Sequence, residues 1–171
     1  MSDLSKIKLL AMDVDGVLTD GTITVNGDGS ETKSFSVLDG HAIRLWHRAG
    51  LKTALISGRT SQPTIHRAHQ LQVQHVFEEC HQKLPTIQKL LERLGLGAEN
   101  AAYIGDDLPD LPVIRYVGFG VAVANAVEQV KQHADYVTAR SGGKGAVREV
   151  VEHILKSTGA WPELMKRYLP E

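Results

Sequence analysis

Residues 7–21 read IKLLAMDVDGVLTDG. The apolar run Ile7, Leu9, Leu10, Ala11, Met12 is short, bounded and does not alternate, which is the pattern of a strand covered on both faces of a parallel sheet. It stops at Asp13 and meets a second carboxylate at Asp15. In open α/β sheets the ligand crevice lies just beyond the carboxyl ends of the strands. Two carboxylates at such a place lose hydration and repel each other unless a cation or a shared proton compensates. This one strand therefore predicts an α/β fold and a site that asks for a positive partner.

Outward from it the chain alternates. TITVNGDGSETKSF carries β-branched residues and Asn-Gly and Asp-Gly turn signals, and predicts a β-hairpin within 21–35. DGHAIRLWHRAG predicts a helix with Asp39 as its N-cap and Gly50 as its stop. Strands are then expected over 52–56, 75–77, 101–104, 120–123 and 136–138. Helices are expected over 63–71, 84–94, 126–133 and 146–156, with a short helical turn after Pro109. Leu84, Ile87, Leu91 and Leu94 form one apolar stripe, and Gly95 ends that helix. Strands alternating with helices imply right-handed crossovers and a Rossmann-like parallel sheet with helices on both faces. Neither a repeat nor a linker interrupts residues 1–171, so one domain is expected. The segment 160–171 carries Trp161, Leu164, Met165, Tyr168 and Leu169 together with two prolines, and predicts an arm docked over an active site, its own or a neighbour's.

The 171 residues are 42% hydrophobic and only 5% aromatic, enough for one aliphatic core. Lys and Arg number 19 against 20 acidic residues, a net charge of -1 that offers no general attraction to nucleic acid or to an acidic membrane. Any phosphate recognition has to be local. One cysteine, Cys80, excludes an internal disulfide, and no apolar segment approaches the roughly 20 residues that span a bilayer. A reducing, cytoplasmic setting is expected.

Several strand ends carry polar groups that the topology would gather: DVDG after the first strand, SGR at 57–59, and GDDLPD at 105–110, with Lys83 at the start of the leucine-rich helix. Two or three carboxylates suit a hard divalent cation such as Mg²⁺. A hydroxyl and an ammonium nearby suit the remaining oxygens of a phosphoryl group. A carboxylate in such company can attack phosphorus, with the metal offsetting the repulsion between two anions.

In order and spacing, DVDGVLTDG at 13–21, the serine of LISGR at 57, the lysine at 83 and GDDLPD at 105–110 resemble the four motifs of the haloacid dehalogenase superfamily of phosphatases. The resemblance implies that Asp13 is the nucleophile and a metal ligand, and that Asp15 is general acid and then base, its backbone carbonyl also binding Mg²⁺. It further implies that Ser57 and Lys83 hold the phosphoryl group, that Asp106 ligates the metal, and that Asp107 and Asp110 support the constellation. About 36 residues separate Asp20 from Ser57 and 25 separate Ser57 from Lys83, too few for a cap domain. With FSVLDGHAI at 35–43, SGRTSQPTIHRA at 57–68 and SGGKGAVRE at 141–149, this short form is similar to the 3-deoxy-D-manno-octulosonate (KDO) 8-phosphate phosphatases of lipopolysaccharide synthesis. That resemblance implies a homotetramer with hairpins at its centre and sites at subunit interfaces. It also implies that Ser36, Val37, Leu38, Asp39, Gly40, Arg59 and Arg67, with Asp15 and Lys83, bind the sugar-acid phosphate.

Phosphatases of nonulosonate 9-phosphates share these motifs, and a non-catalytic oligomeric binding protein on the same scaffold is the reading from another class. Asp107 and Asp110 also read as helix N-caps, Arg67 as an exposed helix residue, and 141–145 as a flexible approach to a helix.

Overall fold

A computed structural model of the chain describes residues 3–169. β1 (Leu9–Met12) is buried at every residue and pairs in parallel on both sides, which is why its side chains are apolar without alternation. A two-stranded antiparallel hairpin follows, β2 (Thr24–Val25) and β3 (Glu31–Thr32), separate from the main sheet. Then come α1 (Val37–Arg48), β4 (Lys52–Ile56), α2 (Gln62–Leu71), β5 (His75–Phe77) and α3 (Lys83–Leu94). The second half adds β6 (Ala101–Gly105), α4 (Leu111–Ile114), β7 (Phe119–Ala122), α5 (Glu128–Lys131), β8 (Tyr136–Val137), α6 (Ala146–Ser157) and α7 (Trp161–Met165).

The six-stranded sheet has the order β5-β4-β1-β6-β7-β8, with every neighbouring pair parallel. From β1 the chain builds outward through β4 and β5, then returns to the other side of β1 for β6, β7 and β8. With right-handed crossovers, reversing direction also reverses the face that the helices cover. Accordingly α1 packs with α2 and α6, and α3 packs with α4. The sheet changes direction between β1 and β6, and there the loops at the carboxyl ends part to leave a crevice.

Some boundaries differ from those expected. The N-cap of α1 is Ser36, not Asp39: its Oγ accepts from the N–H groups of Leu38 and Asp39 at 3.2 and 3.4 Å, and the helix starts one turn earlier. Asp39 instead turns inward, 1% exposed, and accepts from the N–H groups of Gly145 (3.2 Å) and Arg148 (2.9 Å) at the start of α6. A carboxylate against a helix N-terminus meets N–H groups that have no partner inside the helix. Burial pushes the Asp39 carboxyl above its ordinary pKa, and the backbone donors oppose that. The helix expected over 126–133 is a single turn. Val127 donates its N–H to Asp106 O at 2.9 Å, so this segment is held extended against the end of β6 before the turn can begin.

The arm forms α7, with Pro162 in its first turn, where a missing N–H costs nothing. Trp161 and Leu164 pack on the core, Lys156 lies 4.9 Å from the Trp161 ring centre, and Tyr168 OH accepts from Arg48 at 2.6 Å. The described part of the arm thus docks on α1 and α6 of its own chain and not over its own crevice, because that is where its apolar residues find cover. Pro170 and Glu171 lie outside the described residues. Among the described residues, no helix is long and apolar enough to cross a membrane.

Replacing Asp39 by Ala leaves two buried N–H groups without an acceptor and should lower unfolding stability by about 1–3 kcal/mol. Urea unfolding checks this, and an unchanged midpoint would contradict the tie between α1 and α6.

Candidate active site

β1 and β6, the strands that flank the change of direction, each end in a carboxylate. Asp13 extends the pairing by one residue, its N–H donating to Ile104 O at 3.0 Å. The chain then turns through Gly16, at φ +89, where a side chain would overlap the Asp106 carboxylate. Thr19 Oγ accepts from the N–H groups of Gly16 and Gly21, both at 3.2 Å, and fixes the loop. The glycine-rich segment packs on this loop from outside. Gly142 donates to Asn125 Oδ1 at 2.7 Å, Asn125 Nδ2 donates to Gly16 O at 3.2 Å, and a Cβ on Gly142 would strike that same carbonyl.

The crevice holds a cavity of about 380 Å³ lined by Asp13, Asp15, Ser57, Arg59, Lys83 and Asp106, with Cys80, His81 and Asp107 also on its wall. Lys83 opens α3 and is 3% exposed. Its Nζ lies 2.8 Å from Asp13 Oδ2 and 2.7 Å from Asp110 Oδ1. Burial alone would push this ammonium's pKa down, but the two carboxylates outweigh it and hold it above the usual value. Val14 N–H donates to Asp13 Oδ1 at 2.7 Å. Ser57 follows β4 directly and is 2% exposed, its hydroxyl folded against the Arg59 backbone.

Asp110 is wholly buried and its acceptors are committed. Oδ1 takes Lys83 and Tyr103 OH (2.6 Å), and Oδ2 takes the N–H groups of Asp106 (3.0 Å) and Asp107 (3.3 Å). It therefore shapes the loop that carries Asp106. Asp107 is exposed at the wall and accepts from Leu108 N–H, the N-cap role it was also expected to have.

Asp13, Asp106 and Asp110 each bring an oxygen within 4.8 Å of the other two. Burial, followed by the charges of Asp13 and Asp110, raises Asp106 to a pKa of about 8. Burial and Asp110 raise Asp13 to about 6 against the pull of Lys83. Asp106 Oδ1 is buried without a hydrogen-bond partner among the described residues. A buried acceptor with no donor, beside a second carboxylate on the same cavity wall, fits a hard divalent cation, and Asp106 with Asp13 is the pair that could hold it.

The expected substrate residues divide. Arg59 is at the cavity, its Nη2 3.4 Å from Glu31 Oε2. Ser36, Val37, Leu38, Asp39, Gly40 and Arg67 are not on its wall. The Arg67 guanidinium packs over Gly40, donates to Ser36 O at 3.1 Å and lies 5.8 Å from the Phe35 ring centre. Lys33 was missed. It is buried and pairs with Asp15 at 2.8 Å, yet a charged residue at the end of a short hairpin reads as solvent-facing. Tyr103 was missed as a polar partner because an aromatic inside a buried strand reads as core.

A family model of haloacid dehalogenase-like hydrolases matches residues 75–150. KDO 8-phosphate phosphatase KdsC of Escherichia coli (strain B / BL21-DE3) is 42% identical over 163 residues, 95% of this chain and 87% of that protein. The chain belongs to the haloacid dehalogenase-like hydrolases. Among solved members, the Moraxella catarrhalis KDO 8-phosphate phosphatase, in complex with magnesium, phosphate and KDO, superposes with a TM-score of 0.95 at 42% identity, covering 97% of this chain and 95% of that one. The cobalt-bound Haemophilus influenzae enzyme (YrbI) superposes with a TM-score of 0.88 at 40% identity, over 91% of each chain. The parallel sheet without a cap is thus the architecture of these hydrolases.

Because Asp106 and Asp13 bind protons more tightly in the folded chain than in the unfolded one, the stability they contribute is present below about pH 4 and lost as pH rises toward about 8. The metal-free protein should therefore lose stability over this range more steeply than Asp106→Asn, and Mg²⁺ should flatten the loss. Parallel profiles for the two proteins would contradict the origin assigned to these shifts.

Proposed function

We propose that this chain is a Mg²⁺-dependent phosphatase that hydrolyses a sugar-acid phosphate, KDO 8-phosphate, to KDO and phosphate in the cytoplasmic stage of lipopolysaccharide synthesis. The observation that carries this is the meeting of Asp13, Asp106, Lys83 and Ser57 in one cavity with Arg59 at its wall. It occurs in a chain that aligns along nearly its whole length with KDO 8-phosphate phosphatases.

In this reading Asp13 attacks phosphorus in line and the phosphoryl group passes to its carboxylate. Lys83 keeps Asp13 aimed and, with Ser57, holds the phosphoryl oxygens as charge redistributes over them. Asp15 gives a proton to the departing sugar alkoxide, then takes one from the water that hydrolyses the aspartyl-phosphate. Asp13, Asp106 and the backbone carbonyl of Asp15 would hold Mg²⁺, which would supply positive charge to offset that of the phosphoryl group and the carboxylates. Asp110 and Asp107 support the Asp106 loop. Arg59 suits the substrate's carboxylate, since a guanidinium binds carboxylates with two donors.

The assembly belongs to the same proposal. The hairpin strands are two residues each, with Val25 69% exposed, and a lone hairpin is marginal in water. Val37 and Leu38 are exposed beside Arg67. A homotetramer with hairpins at its centre would cover these surfaces and let Arg67 and the 36–40 segment of one chain complete the cavity of another.

Phosphate release across a panel of sugar-acid phosphates tests the substrate. The highest kcat/KM is expected for KDO 8-phosphate, with loss of activity in excess chelator and in Asp13→Asn. Preference for a nonulosonate 9-phosphate would shift the substrate, and turnover by Asp13→Asn within tenfold of the parent would remove the nucleophile. Sedimentation velocity should give the mass of four chains, whereas a fully active monomer would refute the shared site.

A further inference from the structure

Lys33 lies one residue past β3, on the strand by which the hairpin returns to the body of the chain. Its side chain is 0% exposed. The Nζ is 2.8 Å from Asp15 Oδ1, donates to Asp15 Oδ2 at 3.0 Å, and lies 3.5 Å from Thr64 Oγ1 in α2. Glu31 Oε1 stands 3.9 Å away. Asp15 remains on the cavity wall, 19% exposed, whereas Lys33 is sealed behind it. Two of the ammonium's donors go to Asp15 Oδ2 and Thr64 Oγ1, and Lys33 is not on the cavity wall. A lysine is seldom buried completely, and a buried ion pair adds little net stability over apolar residues of the same size. What this pair adds is direction: contact with both carboxylate oxygens restricts the swing of the Asp15 side chain.

We propose that Lys33 is the positioning residue for Asp15, holding its carboxyl toward the leaving-group oxygen, so that the seating of the hairpin governs proton transfer in the first half-reaction. This rests on the reading of Asp15 as general acid. Lys33 touches neither substrate nor metal in this arrangement and acts only through Asp15. Phosphoryl transfer from an alkyl phosphate breaks the P–O bond to an alkoxide that needs a proton as it leaves. Transfer from p-nitrophenyl phosphate releases a stabilised phenolate that does not. Misplacing Asp15 should therefore damage the first reaction and spare the second.

The test compares kcat/KM for KDO 8-phosphate and p-nitrophenyl phosphate in the full-length, Mg²⁺-loaded protein, because kcat/KM reports the steps up to departure of the leaving group. Positioned general acids contribute about 10²–10⁴-fold, so Lys33→Met should lose on the order of 10²-fold on the alkyl ester and less than about threefold on the aryl ester. Asp15→Asn should show the same selectivity, and adding Lys33→Met to it should cost nothing further. Lys33→Gln, which keeps a donor at this position, should retain more alkyl-ester activity than Lys33→Met, and it carries the same comparison if the methionine variant unfolds. Equal losses on both esters, or losses that multiply with Asp15→Asn, would overturn the proposal. If Asp15→Asn is selective and the Lys33 variants behave like the parent, Lys33 alone fails. If Asp15→Asn is itself indifferent to the leaving group, the acid role of Asp15 fails with it.

Discussion

A single ammonium, Lys83 Nζ, lies between Asp13 at the end of β1 and Asp110 behind the end of β6. Without it, one buried and two half-buried carboxylates would meet where the sheet changes direction with nothing to offset their repulsion. Lys83 is also the first residue of α3, so the contact fixes the angle at which that helix leaves the site. Asp110 passes the constraint on through the N–H groups of Asp106 and Asp107 and through Tyr103 in β6. The charge balance stays incomplete: Lys83 neutralises part of the cluster and leaves Asp106 and Asp13 with raised proton affinity. That remainder is the electrostatic reason the site suits a divalent cation.

A second buried lysine serves the other carboxylate. Lys33 reaches Asp15 from the hairpin, and Glu31 on the same hairpin reaches Arg59 at the cavity wall. The hairpin thus adds no strand to the main sheet but sends one charge behind the site and another to its edge. On the proposed reading the hairpin has a part in catalysis distinct from its part in assembly, and the two kinds of damage should be separable by residue.

Strands in the middle of the sheet were legible because two-sided burial forces continuous apolar runs: the 52–56 strand coincides with β4, and the 101–104 strand falls within β6. The end of α3 was legible because Gly95 takes the left-handed conformation, φ +66. Asp13, Asp15 and Asp106 could be placed from strand ends alone. Ser57 also lies at a strand end, but a turn serine and a helix-start lysine such as Lys83 look ordinary by themselves; only the ordered motifs and the resemblance gave them roles. What the sequence left hidden depends on long-range pairing. Asp39 has the local pattern of an N-cap, but Ser36 takes that place and α6, more than a hundred residues on, supplies its partners. Lys33 and Asp15 meet across a hairpin fold that no local pattern encodes. The arm was expected without a helix assigned to it, although Pro162 begins one, where a proline fits.

The most direct measurement is to find where the phosphoryl group goes. Asp15→Asn should slow hydrolysis of the intermediate more than its formation from an aryl phosphate, so the protein can be pulsed with ³²P-labelled p-nitrophenyl phosphate and Mg²⁺, quenched in acid and digested. The account predicts an acid-stable, hydroxylamine-sensitive label on the peptide containing Asp13, absent when Asp13 is also Asn. Label on the Ser57 peptide, or phosphate release with no labelled peptide at any time, would contradict it.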